Sequence, residues 1–270
     1  MNILHISDIH FRREYKESPK AYERMLSKMD NPLNALKLCI NKALSENKVD
    51  LLIITGDLTE DGESEDYRIL KEKVVEFTEG KIPVVVTLGN HDDKASFRKG
   101  WLGEAGSDEP YFDVYETNEF DIVSFDSSSS TNSSGNITEA HICWLKNTLE
   151  ERKSKPVIII THHHFDEKQA VIPCLKCENE FWDTLKKYNV IGIFNGHTHH
   201  HARGVFNDIC YYTADGMSFC GENFSDGIVS FEETYGYSVY SIEKGIVKST
   251  KIETISTGNV IDVCKGSDLI

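Results

Sequence analysis

Short apolar runs, each ending in a polar turn, recur along the chain. Two examples are V-D-L-L-I-I-T-G-D at residues 49–57 and I-P-V-V-V-T-L-G-N-H-D at residues 82–92. Runs of this length, rich in β-branched residues and bounded by turn residues, are typical of buried strands. The same pattern predicts strands near residues 3–6, 157–160 and 190–195.

Segments with a helical period lie between these runs. Residues 32–44 carry apolar side chains at helical spacing behind a proline in the first turn. Further helices are expected from about Ser64, after the capping residue Thr138, and over residues 178–187. Residues 11–30 are polar and highly charged, which predicts a loop or an irregular helix near the surface.

Two antiparallel hairpins complete the pattern. Residues 111–116 are expected to pair with 119–125, and residues 237–242 with 245–252. The chain from about residue 256 shows no period, which predicts a loose tail. Because strands alternate with helices, the chain as a whole is expected to be a layered α/β protein with a largely buried sheet.

Composition narrows the class of protein. The chain of 270 residues fits one domain over residues 1–270, and a hydrophobic share of 39% is enough for its core. Mean hydropathy is −0.38, and no run approaches the roughly 20 apolar residues of a membrane span, so we expect no membrane association. The N-terminus lacks a basic segment before a long apolar stretch, which predicts no signal peptide.

Cysteine usage and charge add two expectations. Seven scattered cysteines suit a reducing compartment better than a disulfide framework, so the expected location is the cytoplasm. Cys174 and Cys177 form a C-x-x-C whose role is left open. The net charge of −15 repels polyanions, so extended contact with nucleic acid is not expected. A small anionic substrate remains compatible with that charge if the site is locally positive.

Five of the predicted strands end in side chains that bind metals. They are Asp8 and His10, Asp57, Asn90 with His91 and Asp92, His162 to His164, and His197 with His199. Sites in α/β sheets lie at the carboxyl ends of strands, so these side chains converge if the five ends share one edge. Each motif alone is common in loops, but the five together favour a metal site.

The ordered series D-x-H, G-D, G-N-H-D, H and G-H-x-H, from Asp8 to about Asp215, resembles the calcineurin-like metallophosphoesterases. Within that superfamily, I-S-D-I-H, T-G-D-L-T-E-D-G, L-G-N-H-D, I-T-E-A-H-I-C-W-L and G-H-T-H-H resemble the class III cyclic-nucleotide phosphodiesterase branch. The resemblance implies a four-layer α/β/β/α sandwich with two metal ions at the sheet edge.

The resemblance also implies a ligand set. The first metal is expected on Asp8, His10 and His199, and the second on Asn90, His162 and His197, with Asp57 as the bridge. Carboxylate and imidazole ligands suit Mn, Fe or Zn, in divalent or mixed-valence pairs. Two such ions about 3.5–4 Å apart can clamp both oxygens of a displacement at phosphorus.

The remaining histidines are harder to assign. His162 directly follows a strand and best matches the family ligand, but Phe165 departs from the proline that many relatives carry nearby. His163 therefore stays an alternative ligand or a residue that lines the substrate cleft. His200 and His201 have no expected ligand role.

His91 resembles the family residue that contacts the phosphate, beside Asn90, and protonates the leaving oxygen while an activated water attacks phosphorus. Glu60 is expected to orient it, and Asp92 to fix the turn.

The predicted function is therefore hydrolysis of a small phosphodiester, a cyclic nucleotide or a related nucleotide above all. A phosphomonoesterase and a nuclease of the same superfamily remain alternatives, because both use the same metal set. A non-catalytic scaffold is disfavoured, since each ligand position holds a competent residue. The oligomeric state is left open, with a homodimer as one candidate.

Overall fold

The computed structural model describes residues 1–129, 132–224 and 226–269. These residues form the strands β1 (Asn2–Ile6), β2 (Leu51–Thr55), β3 (Val84–Thr87), β4 (Phe112–Glu116), β5 (Asp121–Phe125), β6 (Val157–Ile160), β7 (Val190–Asn195), β8 (Ala202–Phe206), β9 (Ile209–Thr213), β10 (Cys220–Asn223), β11 (Ile228–Glu243) and β12 (Ile246–Lys265). The helices are α1 (Ala21–Lys28), α2 (Pro32–Glu46), α3 (Ser64–Phe77), α4 (Lys94–Phe97), α5 (Glu139–Glu151) and α6 (Asn179–Lys186). A π-helical turn lies at Arg98–Leu102 and a 3-10 turn at Gly266–Asp268.

The strands form two mixed sheets. In the first, the order is β10-β11-β1-β2-β3, with β12 paired to β11, and β1, β2 and β3 are parallel. In the second, the order is β4-β5-β6-β7-β9-β8, and β5, β6, β7 and β9 are parallel. Within each sheet the parallel strands bring their carboxyl ends to one edge, where sites of α/β proteins lie.

The two sheets pack face to face between two layers of helices. Leu52 and Ile54 of β2 lie in a core with residues of α2 and α3, whereas Leu51 and Ile53 lie in a core with residues of β5 and β6. This alternation follows from the two-residue period of a strand. Helices α5 and α6 contribute to a third core with residues of the second sheet. The expected four-layer α/β/β/α sandwich is confirmed.

The helix starts agree with their sequence signals. Helix α2 begins at Pro32, where the Asn31 side chain accepts the Leu33 N–H, and α5 begins after Thr138. Residues 11–30, predicted as a loop or an irregular helix, differ from that prediction because they contain the regular helix α1. Among the described residues, no helix is both long and apolar enough to cross a membrane.

Both predicted hairpins are present, and β11 and β12 extend well beyond the predicted pairing. The prediction of a loose tail from about residue 256 differs from the structure, in which β12 pairs with β11 as far as Lys265. Ile261 and Cys264 are buried in a cluster with Met25 and Leu26 of α1. Register shifts opposite residues 231–234 interrupt the two-residue alternation, which explains why the sequence shows no period there.

The packing of α1 on β12 generates a stability prediction. Ile261→Ala should lower the free energy of unfolding by about 2 to 5 kcal/mol, because it removes a buried branched side chain from this cluster. Val260→Ala, its neighbour on the exposed side, should change it by less than about 0.5 kcal/mol. Urea unfolding of both variants measures the difference, and equal small effects would mean that the tail does not pack.

Candidate metal centre

The turns after β1, β2 and β7 carry their polar side chains in an uncommon backbone conformation. The non-glycine residues with positive φ include Asp8 (55°), His10 (50°), Asp57 (46°), His197 (72°) and His199 (58°). Each such residue costs on the order of 1–3 kcal/mol, and clusters of them mark functional sites. The turns also brace one another, because the N–H of Asp8 donates to Gly56 O (3.1 Å) and that of His10 to Asp57 O (2.9 Å).

Three ligand-type side chains from the first sheet and the turn after β7 meet in one group. His199 Nε2 lies 3.1 Å from His10 Nε2 and 3.3 Å from Asp8 Oδ1. Their ligand atoms lie close enough together to hold one cation. This is the group expected for the first metal.

A second group lies beside the first. His162 Nε2 is 3.2 Å from His197 Nδ1 and 3.2 Å from Asp57 Oδ2. The same Asp57 oxygen is 3.6 Å from His10 Nε2 of the first group. Asp57 therefore stands between the two groups, as a bridging carboxylate would.

Asn90 has an orphaned acceptor that fits the same interpretation. Its Oδ1 is buried and has no hydrogen-bond partner among the described residues, and the residue lines the cavity beside the two groups. A buried polar atom without a partner is costly. A cation would satisfy it, so the residues present fit the expected pair of metal ions.

Hydrogen bonds hold three of the imidazoles with Nε2 turned towards the groups. His10 Nδ1 contacts Glu60 Oε2 at 2.6 Å, His162 Nδ1 contacts Thr55 O at 2.8 Å, and His199 Nδ1 contacts Phe219 O at 2.6 Å. A ring whose Nδ1–H donates to such an acceptor keeps its Nε2 lone pair free. Metal-binding histidines are typically supported in this way.

The charges of the two groups are strongly coupled. Burial raises the pKa of Asp57, but the imidazoles of His162 and His91 more than offset this and hold it well below its usual value. Burial lowers the pKa of His162, yet Asp57 and Asp8 raise it to about 9. The buried carboxylates thus require positive charge nearby, which protons supply when cations do not.

His91 lies at the rim of this centre. Its Nδ1 is 3.0 Å from Glu60 Oε1, and its backbone N–H donates to Asp57 Oδ1 at 2.9 Å. Burial lowers the pKa of His91, but Asp57 and Glu60 outweigh it and raise the pKa to about 10. The expected orientation of His91 by Glu60 agrees with these distances.

Asp92 ties two of the turns together. Its carboxylate accepts the backbone N–H groups of Leu58 (3.1 Å), Thr59 (3.1 Å) and Gly89 (2.9 Å), and the hydroxyl of Tyr67 (2.9 Å). These contacts agree with the expectation that Asp92 fixes the turn. They connect the turn after β2 to the turn after β3, and so hold Asp57 and Asn90 in register.

His163, predicted as an alternative ligand or a cleft residue, has a ring nitrogen within 4.8 Å of ligand atoms of His162 and His197. Its ring is fully buried, with Nδ1 2.7 Å from Ser127 Oγ and Nε2 3.1 Å from Ser133 O. Both nitrogens are thus engaged by serine groups, so a cation or a substrate would have to replace one of these hydrogen bonds. This geometry favours His162 as the ligand and gives His163 a supporting role.

A cavity of about 690 Å³ opens beside the two groups. The candidate metal ligands and His91 form one part of its wall. Another part is largely apolar and comes from α1, the loop before α6, and the β10–β11 region, which contribute Tyr22, Ile172, Phe219, Val229 and Phe231. Tyr22 stacks on His91 with ring centroids 5.9 Å apart and donates its hydroxyl to Glu60 at 3.1 Å. Sequence patterns did not reveal Tyr22 or Phe219, because neither belongs to a ligand motif.

The fold and the paired ligand groups define a class of metal-dependent phosphoesterases. The family model of the calcineurin-like phosphoesterases matches residues 1–201, and the chain belongs to this family. Its members are hydrolases with a dinuclear metal centre, for which the two groups here are the candidate ligands.

Two relatives agree with this family, and a solved structure shares the fold. A probable cyclic nucleotide phosphodiesterase of Rhodococcus erythropolis is 27% identical over 88% of this chain and 82% of that protein. A probable glycerophosphodiester phosphodiesterase of Arcobacter nitrofigilis is 28% identical over 79% of this chain and 77% of that protein. GAP50, the anchor in the inner membrane complex of Plasmodium, shares the fold with a TM-score of 0.57 at 16% identity, over 98% of this chain and 88% of that one.

The position of Asp57 between the two groups generates a metal-binding prediction. Asp57→Asn should lower bound metal from about two equivalents to less than one, because the bridging charge serves both cations. Elemental analysis after metal loading measures this. Asp61→Asn is the matched control, since Asp61 is exposed and lies 3.9 Å from His91 Nδ1. Equal metal content in both variants would exclude the bridging role.

Proposed function

We propose that this chain hydrolyses a phosphodiester of a small molecule, with cyclic nucleotides or related nucleotides as its substrate class. The observation that carries the proposal is the composition of the cavity. Among the described residues, no lysine or arginine lines it, and much of its wall is apolar. A diester has one negative charge and a second ester group, so it needs less positive charge than a monoester and gains more from an apolar wall.

The aromatic side chains favour a base-bearing ester over a glycerol ester. Tyr22 and Phe219 lie at 6.2 Å between ring centroids, and both line the cavity. Flat rings of this kind offer a surface on which a nucleobase stacks, worth about 1–3 kcal/mol per base in proteins that bind single strands. A glycerophosphodiester, which the name of one relative suggests, lacks such a ring and is the second candidate.

The donor set supports Mn, Fe or Zn as the metals, because it combines imidazole with carboxylate and one amide oxygen. Asp8, His10 and His199 would hold one ion, Asn90, His162 and His197 the other, and Asp57 both. When bound, two such ions supply positive charge at the phosphate and lower the pKa of the attacking water.

The chain's own contribution to the reaction centres on His91. Glu60 holds His91 Nδ1, which leaves Nε2 for the cavity. From there the protonated ring contacts the phosphate and donates a proton to the leaving oxygen. Asp57 fixes the backbone of His91, so the same carboxylate positions both the cation ligands and the proton donor.

Two alternatives compete with a small diester. A nuclease needs a basic path for its strand, whereas the cavity wall has no lysine or arginine among the described residues and the net charge is −15. A phosphomonoesterase uses the same metal ligands, so the substrate itself has to decide between the two esterases.

A substrate panel with the manganese-loaded protein tests the proposal. We expect turnover of 3′,5′-cyclic AMP and bis(p-nitrophenyl) phosphate, at least about tenfold lower kcat/KM for p-nitrophenyl phosphate, and no cleavage of single-stranded DNA, for the charge reasons above. Glycerophosphoethanolamine tests the second candidate, and Asp57→Asn controls for contaminating activity. Faster turnover of the monoester, or full activity after thorough chelation, would overturn the proposal.

The proposed proton donor predicts an effect that depends on the leaving group. His91→Ala should reduce kcat on a cyclic nucleotide by about 10²–10⁴-fold, the usual contribution of a positioned general acid. The loss on bis(p-nitrophenyl) phosphate should be smaller, because p-nitrophenolate is stable as an anion whereas a ribose alkoxide is not.

Steady-state kinetics on both esters, with metal content measured in parallel, provide the comparison. Equal losses on the two esters with metals intact would leave His91 as a phosphate contact without a role in proton transfer.

A further inference from the structure

One loop of the cavity wall carries an exposed run of apolar residues. The A-V-I-P run (residues 170–173) lies between β6 and α6. Val171 is 77% exposed, Ile172 is 37% exposed, and Pro173 is exposed as well. Several consecutive apolar residues in contact with water are uncommon on a folded protein unless they have a function. All four residues of the run line the cavity beside the candidate metal centre, so the run borders the space that a substrate would enter.

The A-V-I-P run is held in place at both of its ends. Before the run, Gln169 Nε2 donates to Thr213 Oγ1 at 2.8 Å. After the run, the backbone N–H of Leu175 donates to His164 O at 2.8 Å, and the Leu175 side chain is buried. Because both ends are anchored, the exposure of the run belongs to the ordered conformation of the loop.

A second apolar surface of the same cavity begins beside the candidate ligands. The centroid of the Phe219 ring lies 4.5 Å from that of His199 and 5.7 Å from that of Phe231. Val229 and Leu269 pack in the same cluster as the two phenylalanines, and all four apolar residues line the cavity. The cavity therefore has one apolar surface that starts at the candidate metal centre, in addition to the A-V-I-P run.

Two apolar surfaces and one candidate metal centre share the cavity, and a phosphodiester has two ester groups on one phosphate. We infer that the A-V-I-P run is a subsite for the second ester group, and that this group is an extended apolar alcohol. The inference rests on the proposed function, in which a base stacks beside Tyr22 and Phe219, and it narrows the substrate class of the same cavity. A cyclic nucleotide has no separate second alcohol, so the preferred substrate is an open diester such as a nucleoside alkyl phosphate.

The preference arises from burial of the exposed side chains of the run. Val171 and Ile172 are in contact with water, and an alkyl chain placed against them removes apolar surface from water on both partners. Each methylene that becomes fully buried improves binding by about fourfold. A polar alcohol such as glycerol or ethanolamine does not gain from this contact, because its hydroxyl or amino group loses water there.

Charge and position argue against a lipid bilayer as the partner of the A-V-I-P run. The net charge of −15 repels an anionic lipid surface. Each residue of the run also lines the cavity, where an ester bound at the metal centre reaches it. A bilayer contacts the outer surface of a protein and does not enter such a cavity, so an ester group fits the position of the run better.

A series of p-nitrophenyl alkyl phosphates tests the subsite while the leaving group and the charge stay constant. With the manganese-loaded protein, kcat/KM should rise at least about tenfold from the methyl to the hexyl ester, because the added methylenes are buried. The double variant Val171→Ser/Ile172→Ser should lower this hexyl-to-methyl ratio to less than about threefold, because serine offers little apolar contact. Val205→Ser/Ile246→Ser is the matched control and should retain the wild-type ratio, since both residues are exposed and neither lines the cavity.

Binding without turnover separates this inference from the proposed function. If the wild-type protein hydrolyses none of the esters, the proposed function fails, and calorimetry with dimethyl and methyl hexyl phosphate tests the subsite alone. Methyl hexyl phosphate should then bind at least about tenfold more tightly, and the double variant should lose the difference. The inference is overturned if the wild-type protein does not distinguish the hexyl from the methyl group, or if the double variant still does. Adsorption of the wild-type protein to phosphatidylcholine vesicles, with equal kcat/KM along the ester series, would assign the run to a lipid surface and also overturn the inference.

Discussion

The rest of this structure depends on one buried carboxylate and on the groups that balance its charge. Asp57 is 2% exposed and sits where the two sheets meet at their carboxyl edge. One oxygen accepts the His91 N–H, and the other faces His162 and His10. A buried ion without partners costs several kcal/mol, so the imidazoles that face Asp57 are a condition for the fold at this edge.

The turns that carry the candidate ligands keep their conformation through hydrogen bonds to neighbouring turns, because the backbone preferences of their own residues do not favour it. Five candidate ligand residues have positive φ, which L-residues adopt at a cost of on the order of 1–3 kcal/mol each. The turn after β1 is hydrogen-bonded to the turn after β2 through the Asp8 and His10 N–H groups. Asp92 connects the turn after β2 to the turn after β3. A β-carbon on Gly89 would strike Asp57, so the glycine of G-N-H-D is required by close packing. These backbone contacts therefore fix the directions of the candidate ligands, which is the support that a preorganised metal site needs.

The sequence predicts the parts of the site that local patterns encode. Strands, their polar ends and the pairing of His197 with His199 follow from short-range rules, and the structure brings these side chains together. The sequence could not reveal that both ring nitrogens of His163 have hydrogen-bond partners, because Ser127 and Ser133 are 30 or more residues away along the chain. The sequence also could not predict Tyr22 as a residue of the site, because its position over His91 depends on how α1 packs against β12. The prediction of a loose segment from about residue 256 was wrong because register shifts in the β11–β12 hairpin remove the two-residue period from the sequence.

Charge explains why a strongly acidic protein can still process a phosphate ester. The net charge of −15 repels polyanions at distances up to about a Debye length, which is about 8 Å at physiological ionic strength. Within the cavity, the described wall offers imidazoles, two carboxylates (Asp57 and Glu222) and neutral groups, and it contains no lysine or arginine. Attraction for a phosphate would therefore have to arise from metal ions on the candidate ligands and from His91, over the few ångströms in which low dielectric strengthens it. A ligand with one negative charge and a flat apolar group is only weakly repelled at long range, and it can contact both the candidate ligands and the apolar part of the cavity wall. A nucleic acid strand is repelled at every phosphate. The acidic surface and the candidate metal centre are thus compatible with a small ester as the substrate.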